Sequence, residues 1–324
     1  MFENKTILIT GGAGFIGSNL AFYFQERFPK AKVVVFDKFQ DGTRLDSGNL
    51  SSLGHFKNLV GFRGDVICGD INDPKDLELL DEYRFDYIFH QAAISDTTVQ
   101  NQTIVLQTNL NAFKDLLRLA KRHGAKMIYA SSGSVYGKLP GPHRVGVEEP
   151  INVYGFSKLA MDHLAMSQED VTAVGLRYFN VYGPREYFKG KTASMILQFG
   201  LQILKGERPR LFEGSDRIKR DFIYVDDVIQ ANIKAAAAKR SGVYNVGTGK
   251  ARSFQDIVDI LCKELGIHPE YEYIPNPFVK QYQFFTQADI DSTREELGFE
   301  PQYSLEDGIR ADIPYIKKIF EEEL

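Results

Sequence analysis

The chain reads as an α/β protein: a doubly wound parallel sheet with a smaller, interleaved α/β domain. Three observations lead there. Short strands alternate with helical stretches through the first half, the rhythm of consecutive βαβ units. Val33-Val-Val-Phe-Asp37 is too continuously apolar to have a solvent face, which suits a parallel sheet covered on both sides. Between the first strand and the first helix lies Thr10-Gly-Gly-Ala-Gly-Phe-Ile-Gly17, a turn shaped for a dinucleotide.

In chain order, Thr6–Thr10 is the first strand, Phe15–Phe28 the first helix, and the second strand ends on Asp37. Further strands are expected at Val66–Cys68, Tyr87–His90, Met127–Ala130 (running on to Ser132) and Ala173–Tyr178. Helices are expected at Lys75–Tyr83, Leu106–His123 and Val153–Gln168. Asp41–Asp65 interrupts the pattern with glycine, serine, asparagine and both charge signs. It reads as a surface excursion with one short helix around Leu50–Phe56, long enough to suggest contact with a cofactor's adenosine end. After Tyr178 the character changes. Phe179–Ile218 and Pro275–Gln287 are rich in glycine, proline, aromatics and bases, while Val243–Gly247 reads as a strand returning to the main sheet. The expected division is a dinucleotide-binding (Rossmann) domain over 1–178 plus roughly 220–250, and a substrate domain over 179–219 and 251–324.

With 324 residues and a net charge of −4, the chain has room for a sizeable core and no polycationic footprint, which argues against nucleic acid as a partner. No run approaches the roughly 20 apolar residues of a membrane span. The N-terminus enters a strand without a signal-peptide pattern. Cys68 and Cys262 stand far apart and form no redox or metal motif, so reduced thiols and a cytoplasmic setting are expected. The histidines show no metal-ligand spacing, no metal is expected, and there is no Gly-x-Ser-x-Gly elbow.

The cofactor end is written in the glycines. Gly11 permits the tight turn, Gly14 lets backbone approach a pyrophosphate, and Gly17 lets the helix pack closely. The helix N-terminus offers unpaired N–H groups to the phosphates. Asp37, twenty residues after Gly17, is where a carboxylate would accept from the adenosine ribose. It favours NAD, whereas Lys38 and Arg44 would neutralise the 2′-phosphate of NADP. Asp70 and Ile71 are candidates to cap the adenine, and Gln91, Ala92 and Ala93 to lie against the cofactor. Gly247-Thr-Gly-Lys250 lacks two positions of a P-loop and is set aside.

Tyr154 and Lys158 stand four apart on an expected helix and so share a face. A neighbouring cation would let the phenol lose its proton below its usual pKa of about 10. Tyr154 is therefore the candidate acid–base group, Lys158 its electrostatic partner and a ligand for the nicotinamide ribose, and Ser132 the group that positions a substrate hydroxyl. Together with the glycine-rich turn, they predict hydride chemistry at a hydroxyl-bearing carbon.

These segments resemble the extended short-chain dehydrogenase/reductase family of nucleotide-sugar enzymes, over nearly the whole length. The motifs are TGGAGFIG from Thr10, HQAA from His90, ASSGSVYG from Ala130, PINVYGFSK from Pro150, RYFNVYGPRE from Arg177, RDFIYVDDV from Arg220 and NVGTG from Asn245. Three longer segments are similar to the branch that epimerises carbon six of ADP-linked manno-heptose for the lipopolysaccharide inner core: RYFNVYGPREYFKGK, LFEGSDRIKRDF and KQYQFFTQADI. The resemblance implies an isomerase with bound NADP (NAD being the alternative), an ADP-heptose substrate, a 6-keto intermediate and a homo-oligomer, often a pentamer. It implies two proton carriers, Tyr154 and Lys189. Substrate-contacting positions fall at Asn180, Val181, Lys189, Lys191, Gln198, Phe212, Glu213, Gly214, Ser215, Arg220 and Tyr282. Cofactor positions fall at Phe15, Ile16, Asp37, Lys38, Arg44, Gln91, Ala92, Ala93, Ile94, Ser95, Asn109 and Lys158. Gln198 replaces a histidine usual in relatives, and Lys191 a small hydroxyl residue. Other nucleotide-sugar epimerases are the alternative. A dehydratase is disfavoured because Ser132-Gly133-Ser134 stands where such enzymes carry an acidic pair.

Overall fold

A computed structural model of the chain describes residues 1–276 and 284–324. The dinucleotide half runs β1 (Thr6–Thr10), α1 (Phe15–Arg27), β2 (Lys32–Asp37), β3 (Asp65–Cys68), α2 (Pro74–Glu78), β4 (Tyr87–His90), α3 (Gln102–Leu106), α4 (Ala112–His123), β5 (Lys126–Ser132), α5 (Val153–Met166) and β6 (Ala173–Tyr178). Next come β7 (Asn180–Tyr182), α6 (Met195–Leu204), β8 (Arg210–Phe212), β9 (Lys219–Tyr224), α7 (Val225–Ala236) and β10 (Gly242–Val246). The chain closes with β11 (Ala251–Ser253), α8 (Phe254–Leu265), β12 (Glu272–Ile274), α9 (Asp291–Leu297) and α10 (Leu305–Glu323).

Seven strands form one parallel sheet in the order β10-β6-β5-β4-β1-β2-β3, the doubly wound arrangement expected from the sequence. Strand alternation divides its apolar residues between two cores. Ile7, Ile9, Val33 and Val35 face α1 and α7, while Leu8, Val34 and Phe36 face α4 and α5. That two-sided burial explains why these strands read as unbroken apolar runs. β10 returns to the sheet, as Val243–Gly247 suggested. A separate sheet, β11-β9-β7, and the pair β12-β8 belong to the other half, where α6, α8 and α10 enclose a third core.

Three helix expectations need correction. The excursion's helix is a 3₁₀ turn at Phe56–Leu59 rather than a helix around Leu50–Phe56. The helix expected over 75–83 is α2 followed by a 3₁₀ turn at Leu79–Glu82. The long helix expected over 106–123 begins earlier, at Gln102, and is interrupted by a π turn at Gln107–Asn111. The π turn is wider than its neighbours, and it places Asn109 where a continuous helix would not.

Beneath the C-terminal ends of β5 and β6, Arg177 is buried in a polar network. Its guanidinium contacts Asp162 at 2.9 Å and Glu148 at 2.5 Å, and it donates to the Tyr136 hydroxyl at 2.9 Å. Asp162 on α5 also accepts from Tyr129 and Ser131 of β5, both at 3.0 Å. Removing one member of a buried ion pair leaves an uncompensated charge. Arg177→Met is therefore expected to lower unfolding free energy by about 3–5 kcal/mol, measured by urea denaturation. A loss below about 1 kcal/mol would show that water replaces the guanidinium.

Candidate active site

A cleft of about 720 Å³ opens where the C-terminal ends of the parallel strands meet the second half, the usual place for a ligand in such a sheet. Gly11, with φ +67°, turns the chain out of β1, and a Cβ on Gly17 would stand 2.2 Å from the Gly11 carbonyl oxygen. The helix therefore presses against the turn as closely as glycine allows. Among the described residues no side chain caps α1 at Gly14, so its first N–H groups are left for a ligand. Together with the cleft's length this fits a dinucleotide.

Asp37 does not sit free at the ribose position. Its carboxylate accepts from the Ala13 N–H at 2.9 Å and the Phe39 N–H at 2.8 Å, and burial pushes its pKa up. Gly54 covers it so closely that a Cβ there would come 2.0 Å from an Asp37 oxygen. Lys38 pairs with Asp70 at 3.0 Å, and all three residues line the cleft with Ile71. Ser51, Ser52, Leu53 and Gly54 of the excursion line it too. Arg44 instead donates to the Gly48 carbonyl at 2.8 Å, in an exposed part of the excursion.

On the other wall, Gln91, Ala92, Ala93, Ile94 and Ser95 form a turn along the cleft. Asn109 is not in the lining. Its amide accepts from the Ile94 N–H at 2.9 Å and donates to the Ile94 carbonyl at 3.0 Å and to Ser157 at 2.9 Å. The side chain thus clips the turn to the first turns of α5, and its reach toward a cofactor is indirect.

Asn152 caps α5 by accepting from the Gly155 N–H at 2.8 Å, which brings Tyr154 and Lys158 to the cleft. The Ser132 hydroxyl stands near the Tyr154 phenol, close enough to act on its pKa, and donates to the Ser134 hydroxyl at 3.2 Å. The Lys158 ammonium lies 5.9 Å from the Tyr154 ring centroid and donates to the Ala130 carbonyl at 2.7 Å. The expected depression of the phenol's pKa is not what this arrangement gives. Burial pushes Tyr154 up, with Ser132 opposing, and pulls Lys158 down to about 8, with Asp162 opposing. Both groups are desolvated, so each is driven toward its neutral form.

The second half contributes Asn180, Val181, Lys189 and Arg220 to the same cleft. Lys189 sits on the turn Tyr187–Thr192, with its ammonium 5.3 Å from the Phe15 ring centroid. Burial lowers its pKa, and Glu186 opposes that. Arg220 rests 5.8 Å from the Phe254 ring. Asp221 beside it is committed elsewhere, accepting from Thr248 and from the N–H groups of Gly249 and Ala288. That also accounts for Gly247-Thr-Gly-Lys250: its N–H groups wrap a buried carboxylate rather than a phosphate. Lys191, Gln198, Phe212, Glu213, Gly214 and Ser215 lie outside the lining. Gln198 donates to the Ala193 carbonyl at 2.7 Å, and Lys191 is exposed. Tyr282 falls outside the described residues.

Residues that sequence reasoning missed include Thr192, Ser194 and Phe254 in the lining, and Asp162 and Glu186 behind it. Arg177 and Glu186 stand within the quoted RYFNVYGPRE segment, but nothing in the spacing says that they are buried. Among the described residues, no group of three or more histidine, cysteine, aspartate or glutamate side chains could hold a metal, and no helix is long and apolar enough to cross a membrane.

Comparison with known proteins agrees with this layout. ADP-L-glycero-D-manno-heptose-6-epimerase of Helicobacter pylori is 55% identical, with 98% of this chain and 97% of that one covered and a TM-score of 0.91. UDP-glucose 4-epimerase of Thermotoga maritima, solved with UDP-glucose, is 29% identical over 97% and 99% of the two chains, with a TM-score of 0.85. UDP-glucuronic acid 4-epimerase of Bacillus cereus, solved with UDP-glucuronic acid and NAD, is 28% identical over 97% and 99%, at 0.82. With the family model matching residues 7–247, the chain belongs to the NAD dependent epimerase/dehydratase family.

Proposed function

We propose that this protein epimerises carbon six of an ADP-linked manno-heptose, interconverting the D-glycero and L-glycero forms with a retained NADP. One observation carries the reading. Two proton-bearing side chains from different halves of the fold, Tyr154 and Lys189, line one cleft beside the glycine-rich turn. The 55% identity with the Helicobacter pylori epimerase supports the sugar. NADP rather than NAD is supported by Asp37, whose oxygens already accept backbone N–H groups, and by Lys38 in the lining.

When bound, a nicotinamide supplies the hydride acceptor and donor for the carbon being inverted. The chain's own residues manage the protons and the pose. The stereocentre is exocyclic, so rotation about one carbon–carbon bond presents the opposite face and the sugar need not turn over. Reducing either face of a planar ketone calls for a proton donor on each side. Tyr154, kept neutral by burial and flanked by Ser132, serves one side. Lys189 serves the other. Arg220 offers a planar fork of donors for the diphosphate. Lys158, anchored on the Ala130 carbonyl, holds a positive charge near the phenol while it remains protonated. The family resemblance supports a homo-oligomer.

Incubation of the purified protein with ADP-D-glycero-D-manno-heptose is expected to yield both epimers, resolved by chromatography, with NADP recovered on denaturation and identified by mass. No interconversion by cofactor-loaded protein would remove the proposal, and turnover of UDP-glucose instead would favour a 4-epimerase. Tyr154→Phe is expected to lower kcat by roughly 10²–10⁴-fold; near-normal turnover would discard the proton-transfer role. If Lys189→Met raises KM and leaves kcat intact, Lys189 neutralises charge rather than moving a proton. Because Lys158 loses its proton near pH 8, kcat/KM is expected to fall as pH rises through about 8, an effect that Lys158→Met removes.

A further inference from the structure

We propose that Glu186 is the positioning residue for Lys189, stapling shut the strap 183–194 that carries it and setting the charge the ammonium meets. The inference rests on the reading of Lys189 as one of the two proton carriers. Glu186 is fully buried, yet its carboxylate is fully employed. It accepts from the Gly183 N–H at 3.2 Å, from the Ser194 N–H at 2.6 Å and from the Ser194 hydroxyl at 2.7 Å. Those donors stand at the two ends of the strap, so one side chain closes the loop at its base. The Glu186 carbonyl also accepts from the Lys189 N–H at 3.0 Å, which fixes where the lysine leaves the backbone.

The electrostatics agree with the geometry. Burial lowers the Lys189 pKa, and Glu186 is the group that opposes it. Burial pushes Glu186 itself up, while Lys189 and the Ser194 and Gly183 donors pull it back. The other titratable groups facing it come from α10. Asp312 is buried with neither carboxyl oxygen bonded among the described residues, and burial holds its pKa well above the usual range. Tyr315 accepts from the Tyr187 N–H at 3.2 Å, and burial raises its pKa. Burial therefore favours the neutral form of both, whereas the Glu186 carboxylate is the one that the Ser194 and Gly183 donors and Lys189 favour in its charged form. A carboxylate so placed keeps the lysine protonated in a desolvated wall, the state in which it can donate.

Competitive acetylation of Lys189 across pH, read by peptide mass spectrometry, measures its protonation without substrate. Glu186→Gln is expected to move the Lys189 midpoint to lower pH and to cut kcat roughly tenfold or more, with KM changing far less. Asp312→Asn, which mimics a neutral carboxyl, is expected to leave the midpoint in place. An unchanged midpoint in folded Glu186→Gln protein overturns the proposal, as does an equal shift in Asp312→Asn. Should Glu186→Gln not fold, Glu186→Asp carries the test. It withdraws the carboxylate by one methylene, so hydrogen exchange at the Gly183 and Ser194 amides is expected to rise about tenfold or more, and unchanged exchange overturns the staple. Labelling and exchange stand even if wild-type protein fails to turn over ADP-heptose, so failure of the substrate reading is told apart from failure of this one.

Discussion

The buried pairing of Arg177 with Asp162 is the constraint on which the cleft depends. Asp162 lies one helical turn beyond Lys158 on α5, and it bonds residues 129 and 131 of β5, the strand whose residue 130 accepts from Lys158. Three consecutive strand positions are thereby fastened to one face of one helix. The register that places Tyr154 beside Ser132 follows from that fastening. Arg177 neutralises the carboxylate from β6, so the same charge that aligns helix and strand does not stand unpaired in the core.

Above this layer, the working groups share a physical condition: they are desolvated. Tyr154 is driven up, Lys158 and Lys189 down. Desolvation drives the pKa values of phenol and ammonium apart, the phenol upward and Lys158 down to about 8, so that each is biased toward its neutral form. The carboxylates nearby are each saturated by backbone donors: Asp37 by the glycine-rich turn, Asp221 by the Thr248–Gly249 loop, Glu186 by both ends of its strap. None of the three has to seek a cation in the cleft.

The fold was largely legible because its signals are local. Alternating apolar runs such as Val33–Phe36 and the glycine spacing of residues 11–17 determine strand, turn and helix without help from distant residues. Tyr154 and Lys158 were legible for the same reason, since helical periodicity alone puts them together. What escaped depends on contacts distant in sequence. The π turn at Gln107–Asn111 has no period of its own, and Asn109 shows its use only when Ile94 and Ser157 arrive from elsewhere. Asp37 stands at the expected place but turns its oxygens inward because Gly54, seventeen residues later, folds over it. The phenol's pKa was misjudged because a sequence shows the neighbouring lysine but not the burial that outweighs it.

β10 completes the sheet only after the chain has left β6, built β7, β8 and β9 and come back. The two lobes are therefore knitted by at least two crossings, and neither can be lifted out as one uninterrupted stretch. Severing the chain just past residue 178 would strip the sheet of its outermost strand along with α7, which covers one of its faces. New sugar preferences in such an architecture have to arise by exchanging individual side chains within the strap and the small sheet, not by transplanting a whole lobe from a relative.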